Sequence, residues 1–277
     1  MPNIQYLVAG GCGGGGNSGF ANSSSHIFGG GGGGSVEVGT QNITAGSYTI
    51  TIGAGGTVNT NGQNTTFNGI TAYGGGRAHQ TSGPTSGGSG GGAGVNGTGA
   101  SAGSGSNVYK GANGFSSFSA DCNDNYVWQS GGGGGAGGLS SSYIGGVGYS
   151  SNISGTTTTY NSGGHGGYVA TNWLWDGEYC YEDPSTNIVP SSRATGCGGN
   201  GSIAGRFNIE GSIQWSYARF SSAGSSGRVI IRYTTADFGA CTGGTITTSG
   251  SDTIHTFTSS GTFTAVAGAS SGFFMTM

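Results

Sequence analysis

The chain gathers many of its 67 glycines into blocks. The main ones are residues 10–16 interrupted by Cys12, 29–34, 74–76, 87–94 interrupted by Ser89 and Ala93, 131–138 interrupted by Ala136, and 198–201 interrupted by Asn200. Glycine has no side chain to bury and loses the most conformational entropy on folding. A chain of this kind is therefore either disordered or held by packing of backbone on backbone. Aromatic residues at 10% and a net charge of only −3 argue for folding, because disordered chains are poor in aromatics and often kept open by charge. Collagen is excluded by the lack of a strict three-residue glycine period and by only 4 prolines.

Between the blocks, short segments alternate with period two. Residues 3–9, 35–38, 47–52, 65–73 and 227–233 read as strands, with a hairpin turn at Asn68-Gly69 and a central place for 227–233. No window keeps a 3.6-residue period. The expected fold is all-β, a small antiparallel scaffold carrying a bundle of polyglycine II helices, with almost no α-helix. A polyglycine II segment has three residues per turn and a rise of about 3.1 Å, and no internal hydrogen bonds. Its N–H and C=O groups must pair with neighbouring segments. In such a bundle the Ala, Ser and Cys interruptions would face outward. The reading divides the chain into a glycine-rich domain over 1–233, a linker over 234–244 and a short β-rich module over 245–277. The module has too few strands to stand alone, so it needs the main domain, another copy or a partner chain.

Composition narrows the function. One lysine and six arginines give no basic footprint for nucleic acid, and no apolar run approaches a membrane span. The first residues show no charged and apolar leader pattern. The five cysteines form no C-x-x-C pair. Cys180 and Cys197 flank one loop and can bridge, and the alternative is that the cysteines are small buried thiols. No phosphate loop, nucleophile set or resident cofactor is indicated, and no metal site is assigned. Asp121, Asn123, Asp124 and Asn125 lie close together, but they read as a solvated turn.

Two segments are distinct from the rest. Residues 168–195 hold Tyr168, Trp173, Trp175, Asp176, Glu178, Tyr179 and Tyr181, and the segment 115–128 holds Phe118, Tyr126 and Trp128. Aromatic rings beside carboxylates and amides suit recognition of a sugar or protein surface. They equally suit a local mini-core roofing the glycine bundle. Glu178 and Glu182 are the one acidic pair that a glycosidase reading can use. The chain is nevertheless read as a binding protein and not an enzyme.

The strand 4–9 opening a glycine stretch, Tyr48–Gly56 in the middle and Gly227–Tyr233 closing it resemble the glycine-rich domain of bacteriophage virion proteins. Residues 254–264 are similar to a β module found beside it. Tail-fibre tip adhesins of T-even-like phages carry bundled polyglycine II helices with receptor-binding loops at one end. The glycine-rich region of anaplastic-lymphoma-type receptor kinases is a second relative, but the transmembrane and kinase segments are missing here. The resemblance implies a virion protein at the tail fibre, tail tip or capsid surface. It would bind a host cell-surface receptor, protein or glycan, through the aromatic and acidic loops. Its partners would be other virion proteins and further copies of itself, without nucleic acid or membrane insertion. The alternative is a purely architectural role in capsid decoration or a self-assembling fibre.

Overall fold

The structure is a computed structural model that describes residues 2–17, 26–78, 83–94, 97–113, 115–117, 125–175, 180–182, 187–189, 198–200, 203–209, 212–216 and 221–268. The first sheet has five antiparallel strands in the order β17 (Thr245–Ser249), β18 (Asp252–Phe257), β16 (Arg228–Thr234), β1 (Asn3–Ala9) and β3 (Val36–Asn42). A second sheet runs β19 (Gly261–Ala265), β4 (Gly46–Thr51), β5 (Thr65–Phe67) and β6 (Ile70–Ala72). The strands expected at 3–9, 35–38, 47–52, 65–73 and 227–233 are present, shifted by a few residues at some ends. The turn joining β5 to β6 is Asn68-Gly69, with φ of 42° and 80°. Both values are positive, as a type I′ hairpin turn requires. The only helix among the described residues is one 3₁₀ turn, Thr235–Asp237.

The residues of β1 and β16 explain their central position. Ile4 and Val8 of β1 and Val229, Ile231 and Tyr233 of β16 pack against Ile50, Phe67 and Phe263 of the second sheet. Leu7, Ala9 and Ile230 fill the opposite face with Val36, Ala136, Ile153 and Tyr160. A strand buried on both sides needs apolar residues in succession, so Leu7-Val8-Ala9 and Val229-Ile230-Ile231 run without alternation.

The C-terminal strands belong to these same sheets. β18 pairs with β16, and β19 pairs with β4. Ile254, Phe257, Phe263 and Ala265 are all buried. The main domain thus gives this module its support. The segment between is packed too: Phe238 is buried, and Phe238 and Thr242 bridge to Ala267 and Thr264.

One buried polar group links the module to the core. His255 is fully buried, with Nδ1 2.7 Å from Gly243 O and Nε2 3.0 Å from the Tyr233 hydroxyl. The carbonyl can only accept, so Nδ1 carries the proton and Nε2 accepts from Tyr233. Burial lowers the His255 pKa, and the bond to Gly243 opposes it only in part. Burial likewise raises the Tyr233 pKa above its ordinary value, with Cys241 adding to the rise. A histidine with a depressed folded pKa stabilises the fold above its unfolded pKa of about 6.5, and that stability is lost as pH falls toward the folded value. Thermal unfolding across pH 7 to 4 should therefore show a falling midpoint below pH 6.5. The slope is at most about 1.4 kcal/mol per pH unit for this one group. His255→Asn should flatten this part of the profile; an unchanged slope would remove His255 as its cause.

At residue 9 the backbone pairing changes period. Within the sheet, β1 pairs with β3 and β16 residue by residue, ending at Ala9 opposite Val36 and Arg228. Beyond it, Gly10, Gly13 and Gly16 donate to Ser35, Gly32 and Gly29. Gly11 and Gly14 donate to Gln63 and Thr60, while Cys12 and Gly15 donate to Ser225 and Ser222. Each neighbour is met once every three residues, the period of polyproline II geometry. Adjacent strands therefore continue as adjacent glycine rods, and one register serves both.

The rod 29–34 lies at the centre and is buried throughout. Its N–H groups reach 131 and 134, 199 and 76, and its carbonyls accept from 13 and 16, 89 and 92, and 164. It thus has six rod neighbours. A Cβ added at any of Gly29 to Gly34 would come within 3.0 Å of backbone atoms of an adjoining segment. Only glycine fits such a spacing.

The interruptions do not face outward as expected. Cys12, Ser89, Ala93 and Ala136 are all buried. The polar ones complete the hydrogen bonding of neighbouring backbone. Ser89 Oγ donates to Gly135 O and accepts from Tyr109 N–H, each at 3.2 Å. Asn161 Nδ2 reaches Gly10 O and Gly34 O, both at 3.0 Å. Cys12 is disulfide-bonded, so the reading of the cysteines as buried thiols fails there, whereas Cys241 is a free buried thiol. The side chains of Cys180 and Cys197 lie outside the described residues.

Candidate functional site

The two aromatic segments expected as separate loops form one antiparallel sheet. β8 (Asn125–Gln129) pairs with β7 (Phe115–Ser117) on one side and with β11 (Tyr168–Trp175) on the other. β12 (Cys180–Glu182) and β13 (Asn187–Val189) both pair with β11. The sequence carries the period-two signal, with aromatics at 126 and 128 and at 173 and 175. The long-range pairing that joins them has no local signature.

The register sorts the candidates. Tyr126 stands opposite Thr171, and Trp128 opposite Val169. Trp173 stands opposite Glu182, and Trp175 opposite Cys180. Directly opposed residues share a face of the pleat and alternate along the strand. Tyr126, Trp128, Trp173 and Trp175 therefore occupy positions of one face. Tyr168, opposite Gln129, and Tyr181, opposite Leu174, occupy positions of the other. Phe118, Asp176, Glu178 and Tyr179 lie outside the described residues.

Backbone bonding fixes where this sheet stands. β8 runs directly into the rod from Gly131, and β11 follows the stretch ending at Gly167. Ser130, which is fully buried, holds the junction. Its N–H donates to Gly167 O, its hydroxyl lies 2.6 Å from Phe28 O, and Gly167 N–H donates to its Oγ at 2.6 Å. Phe28 precedes the central rod at the end away from β3. The aromatic sheet thus begins at the opposite end of the rods from the two-sheet core. The six residues of the rod lie between them. A small sheet of β15 (Ser212–Ser216), β14 (Ile203–Ile209) and β2 (His26–Ile27) attaches at the same end.

A second surface feature carries none of the expected candidates. The hairpin of β9 (Tyr149–Ser151) and β10 (Thr158–Tyr160), the segment 144–148 and residues 225–228 enclose a cleft of about 970 Å³. Arg228 is its one charged lining residue, and its guanidinium lies 5.6 Å from the centroid of the Tyr160 ring. His165 also lines it, and burial lowers its pKa. Its Nδ1 accepts from Gly145 N–H at 3.4 Å, which leaves Nε2–H as a donor. A single arginine and a single histidine in a glycine-rich stretch have no pattern for sequence reading to find.

The profile of the glycine-rich domain family matches residues 1–234, and the chain belongs to that family. Searches of curated proteins and of solved structures returned no match.

Proposed function

We propose that this glycine-rich-domain protein is a phage virion surface protein, a tail-fibre or tail-tip adhesin whose β7–β13 sheet binds a host receptor. The observation that carries the reading is the placement of that sheet. The rods tie it to the end remote from the main core, and its register gathers four aromatic positions on one face. A sheet that gathers aromatic positions on one face at the end of a support suits recognition, because aromatic side chains bring large contact area at low entropic cost. The double variant Trp173→Ser/Trp175→Ser should lower host adsorption at least about tenfold, the usual loss when a binding hot spot is truncated. Its melting temperature should stay within a few degrees of the parent. Unchanged adsorption by the folded variant would refute the assignment of the site.

The architectural reading has one observation in its favour. β17 is an edge strand without charge, and Ile246 on it is half exposed. Such an edge can pair with another copy. Light scattering separates the two readings: an open, concentration-dependent polymer favours architecture, and a closed small assembly favours adhesion.

A further inference from the structure

The cleft beside the β9–β10 hairpin has the chemistry of a binding site, independently of the aromatic sheet. No aspartate or glutamate lines it. The one ion pair among the described residues joins Arg232 to Asp252, so no described carboxylate neutralises Arg228. The Arg228 guanidinium is instead held over the Tyr160 ring, which positions the charge and leaves its donors open to a ligand. Threonine and serine hydroxyls from 150 and 157–159 add neutral hydrogen-bonding groups. Ile144 and Val147 line the same cleft and remain 47% and 65% exposed. Gly145 and Gly146 lie between these two side chains and add backbone to the same wall.

We propose that this cleft binds an acidic saccharide unit, with the sugar's carboxylate on Arg228 and the apolar face of its ring against Ile144 and Val147. The anion supplies the charge that the cleft lacks. The hydroxyls of the ring meet the serine and threonine hydroxyls and His165 Nε2–H. A neutral sugar leaves Arg228 unmatched, and a bare anion leaves the apolar rim uncovered. Both halves of the ligand are therefore needed.

Calorimetric titration of the full chain tests this with trigalacturonate, its methyl ester and inorganic phosphate. Trigalacturonate should bind, and the ester and phosphate should each bind at least about tenfold more weakly, the scale of one charge-assisted contact. Arg228→Ala should weaken trigalacturonate binding by a similar factor. Because Arg228 lies on β16 and that change can disturb folding, Val147→Ser serves as a second variant. It alters an exposed side chain and should weaken binding several-fold at an unchanged melting temperature. No binding of trigalacturonate, equal binding of the ester or of phosphate, or binding unaffected by both variants would overturn the proposal. The biological role rests on the surface-binding reading, but the two fail separately. Loss of the saccharide result alongside reduced adsorption by the Trp173/Trp175 variant removes only this cleft.

Discussion

Gly31→Ala should strip the protein of a large share of its stability at 25 °C. Gly31 sits in the central rod, where an added Cβ would collide with the carbonyl of Gly13 in the adjoining rod. The obstacle is backbone, which cannot swing aside as a flexible side chain does. Relief requires the rods 10–16 and 29–34 to separate, breaking hydrogen bonds from Gly13 to Gly32 and from Gly10 to Ser35. The cost should exceed about 4 kcal/mol, in the range reserved for strain and broken buried networks. That is a large share of the 5–15 kcal/mol by which a domain is stable. Gly261→Ala is the control. Its Cβ would meet only the Phe257 ring at 3.9 Å, an ordinary contact. It should change stability by less than about 1 kcal/mol, with a gain from reduced unfolded-state entropy. Circular dichroism melts of the two variants decide the matter. Equal stability would mean that the rods are not closely packed.

Truncation after Gly244 should be equally severe. It removes β18 from the edge of β16 and β19 from the edge of β4, and takes Ile254, Phe257 and Phe263 out of the core. Loss of Phe263 alone, as Phe263→Ala, should cost about 3–5 kcal/mol. The shortened chain also leaves β16 with an unpaired, strongly apolar edge, which invites aggregation. The family profile ends at residue 234, yet the sheet does not. A soluble 1–244 fragment melting at the full-length temperature would show that the C-terminal strands are an ornament and not part of the core.

The β frame was legible because its signals are local. Alternation marks β3 and β4, uninterrupted apolar residues mark β1 and β16, and Asn68-Gly69 marks the β5–β6 hairpin. Which glycine block lies beside which was not legible. Glycine presents the same surface everywhere, so the register of the rods is inherited from the flanking strands and is absent from the blocks themselves. The inward placement of Cys12, Ser89 and Ala136 has no signature for the same reason: a small residue in a glycine run carries no polarity pattern that says which way it points. In the candidate site, the aromatic residues stood out by composition. Their assembly into one sheet depends on Gln129 pairing with Tyr168 across 39 residues, which no local pattern encodes. The cleft at Arg228 has no local signature because its walls come from two stretches, 144–165 and 225–228, which lie 60 residues apart.

Amide hydrogen exchange at residues 29–34 tests the central claim most directly. If this rod is the six-neighboured interior of the protein, its N–H groups should exchange only on global unfolding, as slowly as those of β1 and β16. Exchange at the rate of an unstructured glycine chain, with β1 and β16 still protected, would contradict it.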